Sequence, residues 1–238
     1  MVKICRLYAS ALDLYGDYRN LDGIVRYLAQ AGIEAEIEEV EHWQDFEPSK
    51  YDLIYIGHGK IRNLVAVSEH FLKHGEKIKE NIDNNQLWLV IGNSRELFGT
   101  SFTDEKNESH QGLGLFPYKG VECNKVNVAD MIGKTSFSEN YCYGFANRTC
   151  YLEYEKANDK PLFIEAKGFT DSLESEGVEG TLYRNFIASF ALGPLLLRNP
   201  ELMKRILSLL KADTSKCDFS LAQKALEEVL KEFKEIKS

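Results

Sequence analysis

Apolar positions along this chain follow two alternating periods. Residues 2 to 9, VKICRLYA, alternate as a strand does. NLDGIVRYLAQAGI (20 to 33) then places Leu21, Ile24, Val25, Leu28 and Ala29 at helical spacing before Gly32 ends the run. EAEIEEVE (34 to 41) is a second strand, and YDLIYIG (51 to 57) is a compact apolar run stopped by Gly57, as in a strand buried on both faces of a parallel sheet. The spacing predicts one helix across 60 to 82, with Leu64, Val67, Phe71 and Ile78 on its inner side, and QLWLVIG as the next strand. Strands alternating with helices in this way predict an α/β fold, a mostly parallel sheet with helices on both faces.

Residues 100 to 180 are less regular. TDEKNESHQG (103 to 112) reads as a polar loop, followed by short β-like runs around KVNVADMIG, YCYGFANRTCYLEY and PLFIEAKGF. YRNFIASFALGPLLLRNPELMKRILSLL begins as a strand and turns at Gly193-Pro194. It ends in a helix entered through Asn199 as N-cap and Pro200 as first helical residue. Residues 218 to 236 predict one more amphipathic helix, with Leu221, Ala225, Val229 and Phe233 on its apolar side. No linker, repeat or low-complexity stretch divides the chain. The reading is one domain over 1 to 210 with a C-terminal helical extension over 211 to 238.

Composition narrows the function classes. At 238 residues the chain can bury about 70% of its unfolded surface without metal or disulfide staples. A net charge of −8 with acids and bases interspersed disfavours nucleic acid and anionic membrane as partners. Five cysteines without paired spacing read as reduced thiols, mostly small core residues. No run reaches the roughly 18 apolar residues of a membrane span, and the N-terminus lacks a secretory h-region. The expected compartment is the cytoplasm, and no cofactor or metal is expected. His70 and His74 stand four apart on a helix, but without an intervening glutamate or a third ligand they read as surface residues, as do His42 and His110.

In parallel sheets functional groups gather after the carboxyl ends of the strands. That points to Gly57-His58-Gly59-Lys60 and to Gly92-Asn93-Ser94-Arg95. WLVIGNSRELFG (88 to 99) has the strand, turn and helix of an elbow that displays a nucleophile, yet the turn holds no cysteine. Ser94 is either a substitute nucleophile or a first-turn helix residue. His58 is either its base or a solvated loop histidine. Cys142 and Cys150 are either displaced nucleophiles or buried, inert thiols. Asn147 and Arg148 shape a pocket or hold a sheet corner, and Asp17 reads as the cap of the helix that follows it.

Several segments together resemble one family. LYASALDLYGDYRNLDGIVRYL, DLIYIGHGK, LWLVIGNSRELFG, GLGLFPYKGV, GFANRT and EGVEGTLYRNFIASFALGPLLLRNPEL follow the order and spacing of class I glutamine amidotransferases of the cobyric acid synthase type. Within them, the glutaminase subunits of lipid II isoglutaminyl synthases are the nearest pattern. The resemblance implies a flavodoxin-like sheet and a heterodimeric, ATP-dependent Mur-ligase-like synthetase partner that amidates peptidoglycan. It also implies a cysteine on the elbow, a histidine base and backbone N–H groups for the oxyanion. Aligned on Gly99, the family string I-C-G-G-Y-Q-L-L-G puts Gly92 at the nucleophile. T-Y-L-H-G-P-L-L puts Leu192 at the base. Val126, beside Lys125, falls where an arginine is usual, and Gly57-His58-Gly59-Lys60-Ile61-Arg62 replaces G-G-G-x-D-R-E. Glycine cannot attack and leucine cannot accept a proton. The reading is a glutaminase-inactive subunit whose old pocket, by Gly57, His58, Gly59, Asn93, Ser94, Asn147 and Arg148, is roomier beside Gly92 and more apolar beside Leu192. The alternatives are a relocated nucleophile (Ser94 or Cys142) and a small-molecule binding module.

Overall fold

The computed structural model describes residues 1 to 41, 47 to 173 and 176 to 236. His42 lies outside them. A first sheet is built from β1 (Val2–Leu7), β2 (Ala35–Val40), β3 (Leu53–Ile56) and β4 (Leu87–Ile91), joined late in the chain by β11 (Thr181–Tyr183) and β12 (Phe186–Ser189). Its order is β11-β12-β4-β3-β1-β2, parallel throughout except for the β11–β12 hairpin. Every residue of β3, β4 and β12 is buried, so both faces of the sheet are covered. The unbroken apolar runs of β3 and β4 are what that double burial selects, and the one polar residue of β12, Ser189, is hydrogen-bonded to Glu179.

Helix α1 (Arg19–Gln30) packs with α4 (Leu195–Arg198) and α5 (Pro200–Leu209). The single helix expected over 60 to 82 is two, α2 (Ile61–Lys73) and α3 (Gly75–Asp83), because the backbone leaves helical geometry at His74 (φ −105°, ψ 13°). Asn199 holds the N-cap position of α5, yet its side chain makes no capping bond. It donates instead to the carbonyls of Tyr143 and Leu195 and accepts the Tyr143 N–H, tying the helix start to the second sheet.

The irregular middle is in fact a second sheet. It comprises β5 (Ser101–Thr103), β6 (Ser109–Gln111), β7 (Tyr118–Thr135), β8 (Ser138–Tyr154), β9 (Phe163–Gly168) and β10 (Glu176–Glu179), in the order β10-β9-β7-β5-β6 with β8 on the other side of β7. Its pairings are antiparallel apart from β5–β7. The 17- and 18-residue strands β8 and β7 form one long hairpin, with a register break between Glu122 and Asn127. Helix α6 (Ser220–Ile236) packs on α4 and β8 through Leu226 and Phe233, both buried. Leu221, expected on the apolar side, is 77% exposed, and Ala225 is exposed too. Phe233 thus keeps its expected inward place and Val229 is half-buried, while Leu226 rather than Ala225 or Leu221 fills the middle of the inner face. Among the described residues no helix is long and apolar enough to cross a membrane.

Candidate functional site

Strand β4 ends at Ile91, and the chain turns at Gly92 with φ +72°, a left-handed conformation that favours glycine. The segment after the turn, Gly92–Phe98, is a 3-10 helix rather than the expected α-helix, and all seven residues are buried. The elbow backbone is present and its side-chain position is empty of any nucleophile. What fills that position is His58, from the loop after β3. A Cβ built on Gly92 would lie 2.2 Å from His58 Nδ1 and 2.6 Å from its Cβ and Cγ, distances that no real side chain tolerates. The expected roomy pocket beside Gly92 is thus closed, and the solvated loop histidine is a buried one, 7% exposed.

The imidazole does more than occupy space. Its Nδ1 accepts the Asn93 N–H at 3.0 Å, the backbone donor next to the elbow residue and therefore one that an oxyanion would use. Asn93 Oδ1 accepts the Gly59 N–H and its amide donates to the Gly59 carbonyl, locking the two loops face to face. Burial pulls the His58 imidazole down to about 4, so the ring is neutral at physiological pH. Tyr15 stacks on it, with ring centroids 5.4 Å apart.

Asp17 anchors the third loop. Its carboxylate does not cap α1, whose N-cap is Tyr18 with no side-chain cap bond. It accepts the N–H of Gly193 at 2.5 Å and, more weakly, that of His58 at 3.4 Å. Asn20 adds a bond to the Gly193 carbonyl and accepts the Leu196 N–H. The LYGDYRN segment is a clamp holding the 57–60 loop and the 192–196 turn together. Burial raises the Asp17 carboxyl to about 7 against the pull of the two N–H groups.

The remaining candidates separate. Ser94 is fully buried and its hydroxyl donates to the Gly57 carbonyl at 2.5 Å. Cys142 is buried on β8, where burial pushes its thiol up to about 12. Leu192 is in the core, its N–H on the Phe145 carbonyl. Arg148 is buried with its guanidinium on the carbonyls of Thr170 and Ser172 and over the ring of Phe190 at 4.6 Å. A cavity of 240 Å³ gathers His58, Gly59, Asn93, Asn147 and Arg148, together with Tyr15, Lys60, Ile61, Arg62, Glu105, Val126 and Cys150. Gly57, Ser94, Cys142 and Leu192 do not line it. His70 and His74 sit edge to face, with centroids 5.7 Å apart, and His110 pairs with Asp104 at 3.1 Å.

Just behind the elbow, Arg95 of the loop picked out in the sequence meets residues that the sequence did not single out, Asp171, Glu179 and Thr181. Arg95, fully buried, makes two bonds to Asp171 (2.5 and 3.2 Å), one to Glu179 (3.1 Å) and one to Thr181 (3.2 Å). Glu179 in turn accepts from Ser189 and from the Phe190 N–H, so the network joins the elbow to both sheets. Burial raises the Glu179 carboxyl, opposed by Arg95. Next to Arg95, Glu96 is buried with no hydrogen-bond donor of ordinary geometry on either oxygen. The Cys150 thiol lies beside it, and burial raises its carboxyl to about 8.

The sheet and its covering helices are similar to the fold of class I glutamine amidotransferases. A crystal structure of a glutamine amidotransferase superposes with a TM-score of 0.55, at 13% identity, over 88% of this chain and 99% of that one. In sequence, the chain is 27% identical over 210 residues to the lipid II isoglutaminyl synthase (glutamine-hydrolyzing) subunit GatD of Streptococcus pneumoniae, covering 87% of this chain and 79% of that protein. It is 21% identical over 207 residues to the same subunit of Staphylococcus aureus, covering 86% and 82%. No protein-family model matches the chain. The relatives and the fold together support a glutamine amidotransferase-like family, with the GatD subunits as its similar members.

Proposed function

We propose that this chain is an amidotransferase-like subunit with no glutaminase chemistry of its own, which serves as partner or regulator of a Mur-ligase-like, ATP-dependent synthetase amidating peptidoglycan in the cytoplasm. The observation that carries the first half is the seating of His58. A class I mechanism needs a thiol at the elbow and an unoccupied N–H for the oxyanion. Here the imidazole fills the thiol's space and takes the Asn93 N–H, while Leu192 stands at the base position. The second half rests on similarity to proteins named as subunits of a synthase, which by that name act in an assembly.

Relocated chemistry has little to support it. The Ser94 hydroxyl is buried and spent on the Gly57 carbonyl, and the Cys142 thiol is buried and far from its thiolate form at neutral pH. The test is to purify the chain with and without the synthetase from its host and to measure glutamate release from glutamine. Amidation is then followed with glutamine and with ammonium as nitrogen source. No glutamate release, and amidation from ammonium that rises when the chain is added, are the expected results. Glutamine-dependent amidation by the pair alone would overturn the silent-subunit reading. Failure of the chain to capture any ATP-dependent ligase from its host would overturn the partner reading.

A further inference from the structure

A cavity of 540 Å³ lies where the β11 edge of the first sheet meets the start of β7 and the end of β8. Tyr183, in its lining, pairs with Phe186, which stands opposite Trp88 near the start of β4, whereas the elbow follows the end of that strand. No residue lining this cavity lines the one beside His58. Its volume is that of a small-molecule site.

One wall is a run of four rings. Tyr154 stands edge to face with Tyr118 at a centroid distance of 5.3 Å, Tyr118 stacks on Phe116 at 6.0 Å, and Phe116 meets Tyr183 edge to face at 6.0 Å. Each phenol is already committed inside the protein. Tyr118 donates to the Arg95 carbonyl at 2.8 Å, Tyr154 to Asp171 at 2.6 Å and Tyr183 to Asp83 at 2.9 Å. What the three tyrosines offer the cavity is therefore ring surface, held in place before any ligand arrives. Asn158 is spent in the same way, its amide on the Gly180 carbonyl and its Oδ1 on the Lys160 N–H. The charged residues of the lining are Asp83, Lys156, Asp159 and Lys160, and all but one are matched within the protein. Asp83 faces Arg184 at 3.7 Å besides accepting from Tyr183, and Asp159 faces Lys160 at 3.8 Å. Lys156 is exposed and makes no ion pair or hydrogen bond among the described residues.

We propose that this cavity binds a planar aromatic ligand with one anionic group, its ring lying along the four-ring wall and its anion meeting the Lys156 ammonium. A flat ring gains stacked and edge-to-face contacts on such a wall that an aliphatic acid of the same charge cannot make. One unmatched cation in the lining calls for one anionic group. The site uses neither the elbow nor a synthetase, so it stands or falls apart from the proposed function.

The test is an NMR titration of the full chain, labelled with nitrogen-15, using naphthoate as probe. Naphthalenemethanol, with the same rings and no charge, and acetate, with the charge and no ring, are the comparators. Saturable shifts at the Tyr154, Lys156, Asn158 and Tyr183 amides with naphthoate, weaker binding of the alcohol and no saturable shifts with acetate are expected. Lys156→Ala, at an exposed position, should weaken naphthoate binding about three- to fivefold and leave the alcohol unchanged. Tyr183→Ala, at a half-buried position on the sheet edge, should weaken both by about fivefold or more. Absence of saturable shifts with naphthoate, shifts confined to the cavity beside His58, acetate binding as tight as naphthoate, or unchanged naphthoate affinity in Lys156→Ala would each overturn the proposal.

Discussion

At Gly92 the backbone holds φ +72° and the space for a side chain is taken by an imidazole from a loop 34 residues earlier. Glycine and histidine are therefore one unit, and neither can be changed alone at low cost. Gly92→Cys should destabilise the fold by about 2 kcal/mol, from left-handed strain and overpacking against His58. His58→Gly opens the space but loses the bond to the Asn93 N–H. The double variant should be more stable than the sum of the two singles by about 1 kcal/mol or more, read by urea denaturation in a full double-mutant cycle. Additive effects would mean that the two residues do not share this space. Even the double variant should release no glutamate from glutamine, since Leu192 supplies no base. That the turn after β4 holds no cysteine was legible in the sequence, because a residue type is read directly. The occupant of its space was not, because that contact exists only once two loops are brought together by the sheet.

Elements were legible where burial is two-sided. β3 and β4 are continuous apolar runs, and their pairing follows from the strand-helix alternation. The long hairpin was hidden because β8 buries its small residues. Cys142, Gly144, Ala146, Arg148 and Cys150 face inward, while Tyr141, Tyr143, Phe145 and Tyr151 are only half-buried. Its period of two is intact, but the hydrophobic contrast runs against the usual direction. Arg148 sits on the buried face because Phe190 and two carbonyls accommodate its guanidinium. The same holds behind the elbow, where Arg95 belongs to a loop legible in sequence but its acidic partners, Asp171 and Glu179, lie far away in the chain and were not. Arg95→Ala leaves Asp171 and Glu179 facing each other without their cation and should cost about 3–5 kcal/mol, measured as a shift in the denaturation midpoint. For α6 the structure exchanges one leucine for another: Leu226→Ala should cost about 2–3 kcal/mol. Leu221→Ala, at 77% exposure, should stay within about 0.5 kcal/mol. Equal effects would place the inner face of α6 elsewhere.

For the molecule as a whole, the architecture followed from pattern, whereas its electrostatics follow from which acids the two sheets enclose. Glu96 and Asp17 are buried, with carboxyls raised by that burial to about 8 and about 7 from ordinary values of 4.5 and 3.8. In the unfolded chain both have lost their protons well below pH 6, so across pH 6.5 to 8 the native state binds more protons than the unfolded one. Stability then falls as pH rises through this window. Below pH 6.5 a counter-effect enters: His58, lowered to about 4, resists the protonation that the unfolded histidine gains, and this loss of stability grows as pH falls. The sign is therefore clean only on the alkaline side of 6.5, and there the decline should amount to about 1–2 kcal/mol by pH 8 at roughly 1.36 kcal/mol per pH unit for each retained proton. Urea midpoints taken at intervals between pH 6.5 and 8 read this directly. Glu96→Gln keeps the shape of the side chain and removes its charge, so it should flatten the slope and leave the variant at least as stable as the parent at pH 8. A flat or rising profile in the parent, or a variant that follows the parent's slope, would show that Glu96 is ionised within the fold and finds its compensation elsewhere.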